Sequence, residues 1–243
     1  MPPPPPRLAA NQLLAGLARY LRPPLLACLE PVALAVAQVL VVPGARMRHV
    51  YFPTAGVIAL LAQVADHPPV AVGMVGTEGL LGLSMVCGTR AAALGAIVQV
   101  AGTALRLPAQ AWRREVPLWG VLQALGGRYA GALVLQLAQQ AACRQWHGLE
   151  ARLGRWLLMT HDRAPAVAWP LTQAFLATLL GVRRESITQA AQHLQAQQLI
   201  HYQRGQLRLL DRAGLVRVAC PCYAQMPACR RPGAVGRSQP TRP

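Results

Sequence analysis

Lysine is absent from the 243 residues: all 24 basic side chains are arginine, set against only 8 acidic ones, for a formal net charge of +16. Carboxylates this sparse leave no paired acids for general acid–base work. No Ser/His/Asp or Cys/His set and no phosphate-binding loop stands in motif context, so no catalytic residue is assigned and the chain reads as a non-enzyme. A long apolar run is also missing. Leu25 to Val42 is interrupted by Glu30, Pro31 and Gln38 and falls short of the roughly 18 unbroken residues a spanning helix needs. Met1 followed by Pro2 to Pro6 offers neither a basic start nor an apolar core, so no secretory signal is read and a cytoplasmic protein without membrane contact is expected. The cysteines at 28, 87, 143, 220, 222 and 229 include no Cys-x-x-Cys pair, which excludes a disulfide framework. Cys220, Cys222 and Cys229 gather near the end, but one Cys-x-Cys without a fourth ligand does not define a zinc site, so no metal and no cofactor are assigned.

What is present is a composition 53% hydrophobic and 13% charged, enough apolar surface for a real core. The length suits two domains. An arginine-only positive excess draws phosphate polyanions, and the guanidinium fork suits both phosphate and guanine, which puts nucleic acid first among partners.

An α+β organisation follows from the pattern along the chain. Residues 1–24 form a proline-rich and helical lead. Residues 25–116 carry short valine-rich runs broken at Pro43-Gly44, Pro53-Thr54-Ala55-Gly56, His67-Pro68-Pro69 and Gly102-Thr103, the signature of a jelly-roll β-barrel. Val70, Val72 and Met74 alternate with Ala71, Gly73 and Val75, apolar on both sides, so no outward face is assignable. Residues 117–146 turn to alanine, leucine and glutamine and predict one long helix. Leu118, Leu122, Leu125, Tyr129, Ala132, Gln136 and Gln139 recur on one seam, which predicts a dimerisation helix, the alternative being a helix packed on its own β domain. Residues 147–223 make a C-terminal domain that opens with a helix over Glu150 to His161. Residues 224–243, with Arg230, Arg231, Arg237 and Arg242, form a disordered basic tail.

Within the C-terminal domain, Thr172 is placed to cap a short helix carrying Phe175, Leu176, Leu179 and Leu180 that ends at Gly181. A second helix from about Arg184 to Gln198 puts Ile187, Ala190, Ala191 and Leu194 on one face. Opposite lie Glu185, Thr188, Gln189 and Gln192, and Arg184 opens the helix. Arginine suits guanine O6 and N7, a carboxylate suits cytosine N4, and the other three reach neighbouring bases, so these five are the candidate base readers. Ile200 and Tyr202, then Leu207 and Leu209, alternate with polar residues about an Arg204-Gly205 turn, a small hairpin placed as a wing. Thr172, Gln173, Arg183, His201, Arg204 and Arg208 are the candidate phosphate contacts.

Through Leu171-Thr172-Gln173, Leu180-Gly181-Val182-Arg183-Arg184-Glu185-Ser186-Ile187 and Leu199 to Gly205, the chain resembles the Crp/Fnr superfamily of bacterial regulators. His147 to Leu158, Val50-Tyr51-Phe52-Pro53-Thr54 and Gly73-Met74-Val75-Gly76 extend the resemblance across roughly Val39 to Tyr223. It implies a cyclic-nucleotide-binding-like barrel, a long dimer helix and a winged helix-turn-helix. Such a homodimer binds a palindromic site in double-stranded DNA and addresses RNA polymerase. Gln189 stands where many members have arginine, which shifts preference from guanine toward adenine. Glu78 and Gly79 in Thr77 to Gly82, and Arg90 in Thr89-Arg90-Ala91, only partly echo the cyclic-AMP motif; they are the candidate effector residues, with the effector itself unassigned. Cys28 alone among the first 86 residues is too few for an N-terminal iron–sulfur cluster, and His49, His67 and His147 are isolated candidates for haem. The competing reading is a winged-helix module that binds protein or RNA beside a degenerate barrel without effector.

Overall fold

Three short helices, α1 (Pro6–Ala9), α2 (Gln12–Leu17) and α3 (Pro23–Ala27), lead into five strands: β1 (Glu30–Leu34), β2 (Val39–Val41), β3 (His49–Val64), β4 (His67–Val75) and β5 (Gly95–Pro108). Helix α4 (Leu83–Val86) lies between β4 and β5. The structure is a computed structural model describing residues 6–17, 20–21, 23–114 and 119–226; Leu118, Cys229 and the arginines of the tail lie outside the described residues. The strands make one antiparallel sheet in the order β1-β5-β3-β4, with β2 also paired to β5. This agrees with the jelly-roll expectation except that the sheet is not closed into a barrel: β1 and β4 end the path. Its curvature comes from bulges where β3 meets β5, around Pro53, Ala55 and Val57. Gly56 sits there at φ +84, and a side chain would drive into the Val100 carbonyl, so glycine is required for the bend.

Both faces of this sheet are covered, which explains why its sequence shows no polar alternation. Ile58, Leu60, Ala96 and Val98 turn into one core with Phe52, Leu80 and Leu105. Their neighbours Val57, Ala59, Ala71 and Met74 turn the opposite way, into a second core shared with the C-terminal half. A pleated strand alternates its side chains regardless of what waits on either side.

Helix α5 (Ala109–Arg114) follows the sheet, and α6 (Trp119–Trp146) realises the predicted long helix. It runs through Gly126, Gly127 and Gly131 although each glycine costs about 1 kcal/mol in a helix interior, because tertiary contacts hold it. The Tyr129 hydroxyl donates to the Leu80 carbonyl at 2.9 Å, and Gln136 both accepts from and donates to the Met74 backbone at 3.0 and 3.2 Å. These contacts correct the predicted seam. Tyr129, Gln136 and Gln139 face the chain's own sheet and C-terminal segment, whereas Gly127, Gly131, Val134, Leu135, Ala138 and Ala142 are exposed on another side. The polar ends of Tyr129 and Gln136 satisfy backbone groups at Leu80 and in β4, contacts that heptad spacing does not reveal.

Helix α7 (Leu149–Arg163) is buried without a break from Leu153 to Thr160. It lies between the sheet and the remaining elements: β6 (Trp169–Pro170), α8 (Gln173–Leu180), α9 (Arg184–Ala196), β7 (Ile200–Gln203), β8 (Gln206–Leu209), α10 (Arg212–Val218) and a 3-10 turn at Pro221–Gln225. Two polar links tie α7 to the sheet half. Gln99 donates to the Thr160 hydroxyl at 2.7 Å, and Arg163 Nε donates to Glu78 Oε1 at 2.7 Å. No helix among the described residues is long and apolar enough to cross a membrane.

The Arg163–Glu78 pair has side-chain exposures of 2% and 15%, so the Glu78 carboxylate is compensated in a largely buried place. Glu78→Ala is expected to cost about 3 kcal/mol, the order observed when a buried pair loses one partner. Urea unfolding of the full chain reads this; a change under about 0.5 kcal/mol, the scale of an exposed pair, contradicts the assignment.

Candidate nucleic-acid interface

The Thr172 hydroxyl accepts from the Phe175 amide at 3.1 Å and starts α8, and Gly181 at φ +63 stops it. Two cations gather at that C-terminus: Arg144 of α6 and Arg152 of α7 both donate to the Leu180 carbonyl, at 2.9 and 3.1 Å, where the helix dipole favours positive charge. A Cβ on Gly181 would press on Val70 of β4 and on Arg144, so the turn of the helix pair rests directly on the sheet.

Helix α9 begins at Arg184 as predicted and ends at Ala196, two residues before the predicted Gln198, which adopts positive φ. Ile187, Ala190, Ala191 and Leu194 are all buried. Arg184, Glu185, Gln189 and Gln192 are exposed together on the opposite side. Thr188, half-buried, donates to Gln173 Oε1 at 2.9 Å and to the Arg184 carbonyl at 3.1 Å. This bond joins α8 to α9 and leaves only the acceptor side of the Thr188 hydroxyl open.

Strands β7 and β8 pair through Gln203 and Gln206 about a turn in which Arg204 (φ +49) and Gly205 (φ +76) both take left-handed conformation, the geometry of a two-residue hairpin. Strand β6 adds Trp169 opposite Leu207. The Tyr202 hydroxyl donates to the Leu171 carbonyl at 2.8 Å, and burial pushes its pKa above the usual phenol range. The wing is thereby stapled to the start of α8. Thr172, Arg183, His201, Arg204 and Arg208 are exposed, and Gln173 is half-buried. The structure therefore brings the predicted base and phosphate candidates onto three adjoining elements, the start of α8, helix α9 with its N-cap, and the hairpin, with the buried face of α9 holding that helix outward.

The predicted effector residues are dispersed. Glu78 is held by Arg163 and by the Gly76 amide, and the Gly79 carbonyl accepts from Asn11 Nδ2 at 2.8 Å beneath the Tyr129 ring. Arg90 is exposed. None of the three lines the cavity of about 300 Å³ between sheet and α6, whose walls include Met47, Leu60, Leu81, Leu133 and Leu137. Among the described residues its lining carries no charged side chain.

A second set of residues was not legible as a set. Cys143 in the last turn of α6 and His147 just past its end meet Cys220 and Cys222 after α10, with one ligand atom from each within 4.8 Å of the others. The Cys-x-Cys pair thus acquires, from the end of α6 and the residue after it, more than seventy positions away, partners it lacked in sequence. Burial, and then the neighbouring thiols, push the Cys220 thiol up to about 12, and burial likewise raises Cys222. A Cys-x3-His beside a distant Cys-x-Cys was the available signal.

Residues 151–218 match the family model of the Crp-like helix-turn-helix domain. Among solved structures, the chain is similar to the c-di-GMP responsive global regulator CLP from Xanthomonas campestris, with TM-score 0.62 and 16% identity over 81% of this chain and 98% of that one. FixK2 from Bradyrhizobium japonicum has TM-score 0.64 and 15% identity over 79% and 97%. A putative transcriptional regulator of the Crp/Fnr family from Eubacterium rectale has TM-score 0.66 and 15% identity over 83% and 96%. At these identities the likeness establishes the fold. No curated protein matches the sequence.

Because Thr172 caps α8 and α8 carries the turn, Thr172→Ala is expected to lower stability by about 1 kcal/mol. A thermal melt of the full chain checks this, with an unchanged midpoint telling against the cap.

Proposed function

We propose that this chain, which carries a Crp-like helix-turn-helix domain on the fold of Crp/Fnr regulators, is a sequence-specific transcriptional regulator that binds a palindromic operator as a homodimer. The observation that carries the reading is the exposed polar face of α9, set opposite a fully buried one and flanked by an arginine-bearing hairpin. A major groove admits one helix, and α9 presents Arg184, Glu185, Gln189 and Gln192 to it. Thr188 completes the reading face while its bond to Gln173 keeps the two helices in register. Thr172, Gln173, Arg183, His201, Arg204 and Arg208 take the phosphates on either side.

The exposed apolar stripe of α6 supports the homodimer. Val134 is 63% exposed and Leu135 42%, in line with the glycines and alanines of the same face. Helix seams of this kind bury such residues against a second copy. Two recognition helices related by a two-fold axis then meet half-sites about 34 Å apart. RNA polymerase is the next partner such a regulator addresses, and no catalytic step is involved. Control enters through the sheet: α8 rests on β4 and α7 on β3 and β5, so a ligand that repacks the apolar cavity biases the winged helix mechanically. The uncharged lining fits an apolar effector better than a cyclic phosphate, whose charge would be buried there without a partner.

Selection of bound sites from a random duplex library, at near-physiological salt, tests the reading. An inverted repeat is expected. Arg184→Ala should then cost about 1–3 kcal/mol and relax preference at one base pair, whereas Arg208→Ala should weaken all duplexes about equally and flatten the salt dependence. Uniform loss for Arg184→Ala would sink its base-reading role. For the dimer, Val134→Glu places like charges across the two-fold seam and is expected to yield a monomer by light scattering, with operator affinity down at least about tenfold. A variant that stays dimeric refutes the α6 interface.

A further inference from the structure

We propose that Cys143, His147, Cys220 and Cys222 form a structural zinc site that clasps the end of α6 to the segment following α10. All four ligand atoms lie within 4.8 Å of one another, and two of their six separations already match a single tetrahedral ion. With ordinary zinc–sulfur and zinc–nitrogen bonds, tetrahedral ligands stand about 3.8 Å apart from sulfur to sulfur and about 3.6 Å from sulfur to nitrogen. Here Cys143 Sγ and Cys220 Sγ are 3.9 Å apart, and Cys222 Sγ lies 3.7 Å from His147 Nδ1. The four ligands of an iron–sulfur cluster are divided over two or four irons and do not all converge, whereas here all four ligand atoms lie within 4.8 Å of one another, so this set suits one ion. Three thiols and an imidazole at tetrahedral spacing select zinc among the common divalent metals.

A second observation comes from the charge around the cluster. Arg155 is 1% exposed, pairs with no carboxylate among the described residues, and has a buried Nε without a hydrogen-bond partner. It is in Coulombic reach of Cys220. When zinc binds, each thiol releases its proton to solvent, and three thiolates around a divalent ion leave one net negative charge. That charge is the counter-ion Arg155 otherwise lacks. Gln139 Nε2 donates to Cys222 Sγ, an outer contact of the kind that orients a thiolate ligand.

The site spans the bend between α6 and α7, because Cys143 lies in the last turn of α6 and His147 stands between that helix and Gly148, the N-cap of the next. The Cys220 amide already donates to the Ala151 carbonyl at 3.1 Å across the same gap. Zinc would therefore set the angle at which the winged helix leaves the long helix. The inference does not depend on DNA binding, since its test reads metal.

The test is elemental analysis of the full chain, purified under reducing conditions without added metal and again after supplementation with zinc chloride. About one zinc per chain is expected, together with loss of metal on chelation and a lowered melting temperature. Cobalt(II) added to the chelated protein should give the sulfur-to-cobalt charge-transfer band and intense visible bands of a tetrahedral thiolate site. Cys222→Ser and His147→Ala should each lose zinc, while Cys28→Ser keeps it. The proposal is overturned by metal-free protein that takes up no zinc, by a Cys143–Cys220 disulfide in its place, or by iron with acid-labile sulfide. Loss of zinc in Cys229→Ser with retention in His147→Ala overturns the ligand set. Wild-type metal content and the cobalt spectrum remain decisive should any variant fail to fold.

Discussion

Helix α7 has no solvent face over its middle two turns. Leu153 to Thr160 are buried in succession, with Trp156 fully enclosed, so one side must meet the sheet and the other the winged helix. A helix buried all round cannot be removed from either neighbour without exposing apolar surface, at roughly 1.5–3 kcal/mol for each large side chain. The sheet half and the DNA-binding half therefore share a core. Every other arrangement in the molecule, including the outward aim of α9, is referred to this helix.

The polar groups that accompany the shared core are placed at its margins and tie it to one geometry. Gln99 and Thr160 bond from sheet to helix, Glu78 and Arg163 pair at the far end, and Arg144 and Arg152 converge on the carbonyl end of α8. Apolar packing is tolerant of small rotations, whereas these bonds are directional and expensive to leave unmade. On the proposed reading they are the contacts that two orientations of the winged helix would exchange, a physical route from the sheet half to the exposed face of α9.

Function on this reading is a matter of presentation. Helix α9 is locked to α8 through Thr188 and Gln173, and the wing is fastened by Tyr202. Arg184, Glu185, Gln189 and Gln192 of α9 are thus left exposed while its apolar face is buried. The long helix has the complementary arrangement, polar tips turned inward to the sheet and small apolar residues turned outward, which suits it to a second copy.

The winged helix was legible before any coordinates because its signals are local: a capping Thr172, a turn glycine at 181, a helical period through Ile187 and Leu194, and a period of two about Arg204-Gly205. Each depends on backbone geometry within a few residues, and each appears where it was read, helix α9 stopping two residues early. The long helix and the strand-rich half were equally visible, as continuous propensity and as valine-rich runs between turns. What packs on what was not. Tyr129, Gln136 and Gln139 have the spacing of a dimer seam yet serve the chain's own backbone and a cysteine, while Glu78 and Gly79, the predicted effector residues, are used up by Arg163 and Tyr129. Cys143 and His147 meet Cys220 and Cys222 only because α7 folds back between them. Sequence determined the local elements, since periodicity and caps are properties of neighbours along the chain. Tertiary structure alone decided the long-range pairings, because a side chain's partner depends on which distant surface covers it.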